Sequence, residues 1–518
     1  MTEQQIENIT ARSCEITWRF TKWFGVQYIL LFFIPYTWGN SLSTGLGVCI
    51  ATYTMLYSIY WNLVSTKKRL ELIYFPLFPY VLLSLPCCLI WDDYYPSWWI
   101  CLFLPIYGAV CFISIKSVKR IITRRKLKRM YVAIAIILIL ILFKSLCVIW
   151  GCKGHGTIEG EKKEILQRRD YLVDKLVTSP TSVLNEMPSA NVIGEQFQGE
   201  WALYSCSMLS AALVNISSIY PETKEENLQH IDKLIKIVQS QELRLYDTQR
   251  WGEDALQTLE NNTSHVSYLS HLAWMICGYK SIGGDTRYDD LLDSLCETMN
   301  RRMLNAPALN LETYPGEPIY IPDMLVAIVA LQQYAELNNG KYSSTVKEWV
   351  KRAREEWCDN ETGLLVSFLE KNGDKFSNAP VKGSYTSLNC SYLTYIDEAF
   401  ASEQYAKLKK YFWKDGMISG FKEYYDRSCP IGLDIDAGPI ILGLSPSGTA
   451  FGTGAVTYFS DTEVRSKILR TAEKAGHTIL WNGQKHYALA NMALVGEAIM
   501  LAMRTNYKEC APHNIKVY

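Results

Sequence analysis

Long apolar stretches alternate with shorter amphipathic ones in the second part of the chain, from residue 155 onward. Six stretches are apolar on nearly all faces, and they cover residues 201–220, 266–282, 324–337, 388–400, 438–458 and 487–503. Six others are charged on one face and cover residues 159–176, 225–241, 287–303, 344–356, 402–413 and 462–475. Helices that are apolar on every face must be buried, and amphipathic helices can cover them. The pattern therefore predicts twelve helices in six outer–inner hairpins.

Six hairpins of this kind can close into an (α/α)6 barrel whose inner ring consists of the apolar helices. A repeat of this length is also compatible with an open solenoid of helical pairs. The number six and the uniformly apolar inner helices favour closure. We therefore expect an all-α protein in which this part of the chain is a six-hairpin toroid.

The first part of the chain has the hydrophobic pattern of a membrane protein. Residues 23–66, 72–91 and 94–115 contain no charged side chain, and residues 130–151 contain only Lys144. About 20 apolar residues suffice for a helix to cross the hydrocarbon core of a bilayer. We therefore expect a bundle of five transmembrane helices, which cover residues 22–39, 44–65, 72–91, 95–115 and 130–151.

Basic residues give this bundle an orientation. The segment before the first span and the loops at residues 67–69 and 116–129 are rich in Lys and Arg, and with five spans they all lie on one side. Such basic loops are typical of the cytoplasmic side. We therefore expect an integral membrane protein with a cytoplasmic N-terminus, a transmembrane domain at 1–153 in contact with lipid, and an extracytoplasmic barrel domain at 154–518.

The formal charge of zero conceals an uneven distribution. Residues 1–153 hold 16 basic and 6 acidic side chains, whereas the rest of the chain holds 36 and 46. An acidic soluble part repels phosphate backbones, so we expect no nucleic-acid partner. The chain contains none of the patterns C-x-x-C, H-E-x-x-H or G-x-x-x-x-G-K-[ST]. We therefore expect neither a metal ion nor a nucleotide cofactor.

Short polar and aromatic clusters precede the apolar helices. In a closed barrel the N-termini of the six inner helices meet at one end, and we call this end the mouth. A mouth that combines carboxylates, histidine and tyrosine above an apolar floor is typical of acid/base chemistry. The candidate catalytic residues are Glu200, Tyr268, His271, Asp323 and Tyr392. The candidate substrate-binding residues are Trp201, Tyr204, His265, Tyr320, Asp434 and Asp436.

Several of these residues have a structural explanation that the sequence leaves open. Asp323 and Asp436 occupy positions where helix N-caps are expected, and Glu200 can complement the helix dipole. His271 can be a buried histidine bonded to a neighbour. His265 can be a solvated loop residue, and the tyrosines can be packing residues with one bonded hydroxyl.

Two local motifs resemble the linalool dehydratase/isomerase-like family of six-hairpin barrel proteins. They are His271 within YLSHLAWMICGY, followed by GGDTRYDD, and Pro322-Asp323 at the start of the third apolar helix. The resemblance covers residues 190–505. It implies a lyase or isomerase that adds or removes water at an isoprenoid or lipid-like alcohol, with His271 and Asp323 in acid/base roles. Tyr320 and Val329 stand where that family has cysteines near the Pro-Asp turn.

Two other functions fit the same pattern. Six-hairpin barrels are common among carbohydrate enzymes, and two carboxylates at the mouth suit a glycoside hydrolase or lyase that acts on a surface glycan. The barrel can also be a non-catalytic, membrane-tethered module for binding or assembly. A catalyst needs a titratable pair in a closed pocket, whereas in a binding module the acidic residues would only cap helices.

Overall fold

A computed structural model of the chain divides into two compact units, and the second comprises Trp150–Met187 and Glu195–Tyr518. The structure describes residues 157–178 and 195–508, except for 379–380, 417, 428, 435 and 492, together with scattered positions from 135 to 155. The first four predicted transmembrane spans lie outside these residues. Within the fifth, residues 142–149 are helical, and Leu142, Leu146 and Ile149 are exposed.

The second unit is mainly helical. Its helices are α1 (Ile158–Val173), α2 (Glu195–Ile219), α3 (Lys224–Val238), α4 (Gln241–Trp251), α5 (Val266–Ser281), α6 (Asp289–Asn305), α7 (Ile321–Leu337), α8 (Ser343–Glu355), α9 (Gly383–Leu393), α10 (Glu398–Phe412), α11 (Pro446–Tyr458), α12 (Thr462–Gly476) and α13 (Leu494–Arg504). Its strands are β1 (Ile319–Tyr320), β2 (Phe368–Leu369), β3 (Trp413–Lys414), β4 (Gly420–Phe421), β5 (Ile431–Asp434), β6 (Gly438–Ile441), β7 (Thr478–Trp481) and β8 (Gln484–Tyr487). The strands form four antiparallel two-stranded ribbons.

Six apolar helices form a closed inner ring. Helices α2, α5, α7, α9, α11 and α13 pack each against the next, and α13 packs against α2. The amphipathic helices α1, α3, α6, α8, α10 and α12 lie outside and contact the inner helices. Their apolar residues face the ring, as Ile231, Leu234, Ile235 and Val238 of α3 do. The predicted helical barrel is confirmed, and the closed ring excludes the open solenoid.

One helix in the described part of the chain is long and apolar enough to cross a membrane, by length and composition. It is Gly199–Ile219, and 78% of its most apolar window is buried within the protein. This segment belongs to α2 of the inner ring, so its hydrophobicity serves the barrel core.

Four inner helices differ from the sequence prediction. The first, α2, begins at Glu195 instead of 201. The fourth covers Gly383–Leu393 instead of 388–400, because Asp397 caps the outer helix α10 by accepting a hydrogen bond from the Phe400 N–H group at 2.8 Å. The prediction of one helix over 438–458 is wrong, because Gly438–Ile441 is strand β6. The prediction over 487–503 is wrong at its start, because α13 begins at Leu494.

Helix α4 was not predicted, because its sequence has no clear apolar face. Ser240 caps its start by accepting a hydrogen bond from the Leu243 N–H group at 3.3 Å. Gly252 ends it with φ +77°, a left-handed conformation that glycine adopts without a steric penalty. The helix packs against α2 and carries Arg250 near its C-terminus.

A buried ionic network joins the first outer helix to the last inner helix. Arg504 of α13 donates hydrogen bonds to Glu161 and to Glu164 of α1, the latter at 2.9 Å. Arg465 of α12 donates to Glu161 at 2.6 Å. Although burial alone would raise the pKa of Glu161, the two arginines lower it to about 2. The network therefore holds the ring closed at the point where the two ends of the barrel sequence meet.

Candidate active site

Asp323 lies in the first turn of α7, buried at the mouth. The N-cap of this helix is Tyr320, and Asp323 is the third residue of the helix. Its carboxylate accepts hydrogen bonds from the Tyr204 hydroxyl at 3.1 Å and from the Thr313 hydroxyl at 3.3 Å. Asp323 is therefore not the helix cap that its sequence position allowed, and its carboxylate is held by side chains from two other segments.

Glu200 lies in α2 next to Arg250, an arginine that no motif in the sequence singles out. The Glu200 Oε2 atom is buried and lies 3.6 Å from a guanidinium nitrogen of Arg250. The guanidinium group stacks on the Tyr314 ring, 3.5 Å from its centroid, and also lies 3.6 Å from Glu317. Arg250 therefore lies between two carboxylates above an aromatic face, a geometry that fixes its planar group.

Burial shifts the acid strength of both carboxyl groups. It raises the pKa of Glu200 to about 7, and the charge of Asp323 adds to this effect while Arg250 opposes it. Burial raises the pKa of Asp323 to about 6, against the hydrogen bonds from Tyr204 and Thr313. Near neutral pH Glu200 is thus partly protonated and Asp323 is mostly ionised. One group can donate a proton and the other can accept one.

His271 lies within the barrel, against Tyr204. The centroids of these two rings are 4.3 Å apart, and the centroid of the Trp274 ring lies 6.3 Å from that of His271. Both ring nitrogens are buried, and neither has a hydrogen-bond partner among the residues that the structure describes. Burial lowers the pKa of His271 to about 3, so the ring is neutral at neutral pH. His271 can form hydrogen bonds to a ligand, but it carries no proton to donate as an imidazolium.

Two of the predicted residues lie away from this cluster. The Tyr268 hydroxyl donates to the backbone carbonyl of Val238 at 2.9 Å, so its side chain faces the outer helix α3. His265 is fully buried, with its Nδ1 atom 2.6 Å from the Oδ2 atom of Asp247. The structure thus gives Tyr268 a packing role and His265 a buried partner, and it brings neither of them to Asp323.

Tyr392 and Trp201 have different environments. Tyr392 is fully buried in α9, and its ring meets Trp274 of α5 edge-on at 5.6 Å. Burial and the charge of Asp323 both raise the pKa of Tyr392, so it stays protonated. Trp201 is half-buried and packs against the hydrophobic core. Tyr392 belongs to the barrel interior below the carboxyl groups, whereas Trp201 contributes to packing.

Aromatic rings lie beside the cluster at the mouth. The Tyr320 hydroxyl donates to Glu317 at 3.0 Å. Its ring contacts Phe368 at 5.0 Å and Tyr385 at 6.2 Å, both in edge-on arrangements. These three residues are half-buried, and the Lys382 ammonium group lies over the Tyr385 ring, 5.4 Å from its centroid.

Asp434 and Asp436 are bound to a lysine. The Lys382 ammonium group donates to Asp434 at 3.0 Å and to Asp436 at 2.7 Å. Although burial alone would raise the pKa of Asp434, its hydrogen bond to Lys382 lowers it. Asp434 also accepts hydrogen bonds from the N–H groups of Asp436 and Ala437, which shapes the turn between β5 and β6. These residues order the hairpin beside the mouth, and Asp436 is a turn residue instead of a helix cap.

Another buried carboxyl group, Glu423, was not identified from the sequence. It accepts hydrogen bonds from the N–H group and the hydroxyl of Ser384, at 3.0 and 2.9 Å. Burial raises its pKa to about 7, against the bonds from Ser384 and the charge of Lys382. These bonds fix Glu423 at the start of α9.

Among the described residues, His155, Glu164 and Glu473 bring potential metal ligands within 4.8 Å of one another. His155 lies 3.0 Å from Glu164. Arg168 donates to both glutamates, and Arg504 donates to Glu164. The arginines already compensate the carboxylate charges, so this group is explained as part of the ionic network that closes the ring.

No family model and no curated protein matches the chain. Among solved structures, the chain is similar to a glycoside hydrolase from family 105 of C. acetobutylicum ATCC 824. The sequence identity is 11%, the TM-score is 0.45, and the match covers 65% of this chain and 98% of the other. A likeness of this size carries no argument about activity, which has to be inferred from the site itself.

Proposed function

We propose that the barrel is an acid/base enzyme that cleaves a glycosidic bond at its mouth. The observation that carries this proposal is the pair of buried carboxyl groups, Glu200 with a pKa of about 7 and Asp323 with a pKa of about 6. Glycoside cleavage requires one carboxylic acid that protonates the leaving oxygen and one carboxylate that acts as base or nucleophile. Glu200 fits the first role and Asp323 the second.

The neighbouring residues fit these roles. Tyr204 and Thr313 orient the Asp323 carboxylate by donating to its two oxygens. Arg250 lies close to Glu200 and can stabilise its carboxylate after the proton has left. The half-buried Tyr320 residue lies near Asp323, where a sugar can contact its ring. The mouth thus combines an acid, a base and aromatic side chains.

The alternative function, a lyase or isomerase that acts on an isoprenoid alcohol, has less support. That chemistry assigns an acid/base role to His271, whose pKa is lowered to about 3 by burial and which is therefore neutral. The charged side chains beside the mouth, Arg250 and Lys382, also suit a hydroxylated substrate better than a hydrocarbon. The binding module has less support too, because Asp323 does not cap its helix.

The location of the barrel is part of the proposal. Residues 1–153 would anchor the protein through five spans, with the N-terminus in the cytoplasm and the barrel outside it. The exposed apolar side chains of Leu142, Leu146 and Ile149 in a helical segment agree with a lipid-facing fifth span. A reporter fused after residue 160 should be active only outside the cytoplasm, and activity inside it would contradict the five spans.

The test of the activity uses the full chain in detergent with a panel of oligosaccharides and isoprenoid alcohols. We expect sugar release that Asp323→Asn and Glu200→Gln each reduce by at least about 10³-fold. The control is Glu423→Gln, which changes another buried carboxyl group of raised pKa and should leave turnover within about threefold. Release of sugar by Asp323→Asn at the wild-type rate would contradict the proposal, and turnover of isoprenoid alcohols alone would favour the lyase.

A further inference from the structure

The loop before β1 carries a glutamate that shares an arginine with the proposed acid. Glu317 lies 3.6 Å from the Nη1 atom of Arg250, and Glu200 lies 3.6 Å from its Nη2 atom. The guanidinium group stacks on the Tyr314 ring, 3.5 Å from its centroid, and this contact fixes its plane. Each carboxylate therefore faces its own end of one planar cation.

The contact between Arg250 and the Oε2 atom of Glu200 is an ion pair without a hydrogen bond. This oxygen accepts no hydrogen bond from the described residues, and 3.6 Å exceeds hydrogen-bond length. A bidentate pair, in which two guanidinium nitrogens donate to one carboxylate, strongly favours the ionised form. Glu200 does not have that arrangement, because the Nη1 end of the guanidinium group faces Glu317.

Glu317 is held in this position from a second side. The Tyr320 hydroxyl donates to its Oε2 atom at 3.0 Å, while its Oε1 atom faces Arg250. The Glu317 side chain is 42% exposed, so water can hydrate its carboxylate. The Oε2 atom of Glu200, in contrast, is buried. Glu317 therefore competes for the charge of Arg250 from the solvent side.

The charged and titratable groups around Glu200 come from several elements. Besides Arg250 and Glu317 they are Tyr204 of α2, Tyr246 of α4, Tyr314 and Asp323 of α7. Burial and the charges of Asp323 and Glu317 raise the pKa of Glu200, whereas Arg250 and a hydrogen bond from Tyr314 lower it. The cation in this set is Arg250, so a group that draws on its charge changes the acid strength of Glu200.

We infer that Glu317 is a positioning residue, which holds one end of the Arg250 guanidinium group and thereby keeps Glu200 protonated for its role as the acid. This inference rests on the proposed glycosidase function, in which Glu200 protonates the leaving oxygen. Without Glu317, the full charge of Arg250 would act on Glu200, which would then lose its proton at lower pH. Fewer molecules would hold the proton that starts the reaction at neutral pH.

The substitution Glu317→Gln removes the competing charge and keeps the size of the side chain. Infrared titration of the full chain in detergent follows protonated carboxyl groups, and subtraction of the matching sample with Glu200→Gln isolates the signal of Glu200. In the wild-type protein we expect its midpoint at about pH 7. In Glu317→Gln the midpoint should fall by about 0.5–1 unit.

Two further samples test the route through the arginine. In an Arg250→Met background, Glu317→Gln should move the midpoint by less than roughly half as much, because the shared cation is gone. The matched control is Glu312→Gln in the same loop, which removes a carboxylate paired with Lys371 at 3.3 Å. It should leave the midpoint unchanged. An unchanged midpoint in Glu317→Gln, an equal shift without Arg250, or an equal shift in Glu312→Gln would each overturn the inference.

The same variants distinguish this inference from the proposed function. Sugar release by Glu317→Gln at pH 7 should fall by about two- to fivefold, and the alkaline limb of the pH–rate profile should move to lower pH. If turnover depends on Asp323 and Glu200 but the midpoint and the limb stay in place, the function stands and the inference fails. If the midpoint shifts but the wild-type protein cleaves no glycoside, Glu317 still controls the charge of Glu200 and the proposed function fails.

Discussion

The Tyr204 hydroxyl donates a hydrogen bond to the Oδ1 atom of Asp323 at 3.1 Å, although α5 stands between α2 and α7 in the inner ring. Burial and the charge of Asp323 raise the pKa of Tyr204 well above its usual value, so the phenol remains a donor. In return, the hydrogen bond favours the ionised form of Asp323. Tyr204 therefore connects two inner helices that are not neighbours and positions the proposed base.

Removing this hydroxyl should change the pH dependence of catalysis. In Tyr204→Phe the Asp323 carboxylate loses a donor, so its pKa rises and the acid limb of the pH–rate profile moves to higher pH. We expect kcat at pH 6 to fall by about 10- to 100-fold. The control is Tyr268→Phe, because that hydroxyl bonds to the Val238 carbonyl and should leave the profile unchanged. An identical shift in both variants would refute the positioning role.

The wild-type pH–rate profile should be a narrow bell. Asp323 must be ionised and Glu200 protonated, and the pKa values of about 6 and 7 place the maximum between them. Because the two groups interact, the apparent pKa values of the two limbs belong to the pair and not to either residue alone. Glu200→Gln should abolish the alkaline limb in the residual activity. A plateau that extends to pH 9 in the wild-type protein would contradict Glu200 as the acid.

The twelve-helix pattern could be predicted because the apolar stretches of α2, α5 and α7 have helical periodicity and lengths. The residues near Gly438 could not be assigned by that criterion, because an apolar run looks alike in a strand and a helix. Residues 438–441 form a strand because they pair with β5, with Ile441 opposite Ile431. The local sequence does not show which segment a strand pairs with. Helix α4 could not be predicted for a different reason, because its sequence lacks an apolar face.

The site was only partly predictable for a similar reason. Glu200, Tyr204 and Asp323 could be identified because each lies near the predicted start of an inner helix, and a closed ring brings those starts together. Arg250 lies at the end of α4, and Tyr314 lies in a loop before β1. Their contact with Glu200 depends on how these segments fold over the mouth, which no spacing in the sequence encodes.

The raised pKa values also predict how stability depends on pH. Unfolded Asp and Glu titrate near pH 4, whereas Asp323 and Glu200 titrate near 6 and 7 in the folded barrel. Between these values the folded state binds more protons than the unfolded state, so stability falls as pH rises. The penalty is fully present above pH 7 and amounts to on the order of 3 kcal/mol for each group.

The neutral variants Asp323→Asn and Glu200→Gln should escape this penalty. Their melting temperatures should exceed that of the wild-type protein by several degrees at pH 8 and approach it at pH 5, as measured by thermal melting in detergent. Glu222→Gln changes an exposed carboxylate and should follow the wild-type protein at both pH values. Variants that melt below the wild-type protein at pH 8 would show that the two carboxyl groups stabilise the fold.

Closure of the ring should depend on Arg504. This fully buried side chain donates to Glu161 and Glu164, and Glu161 keeps only its bond from Arg465 if Arg504 is removed. Arg504→Met should therefore destabilise the barrel by about 3–5 kcal/mol, because it leaves the charges of buried carboxylates without enough compensation.

Lys162→Met removes the neighbouring exposed pair with Glu222 and should have little effect. The double variant Glu161→Gln with Arg504→Met should recover part of the loss, because it removes one of the stranded charges. Equal melting of Arg504→Met and Lys162→Met would mean that apolar packing alone closes the ring.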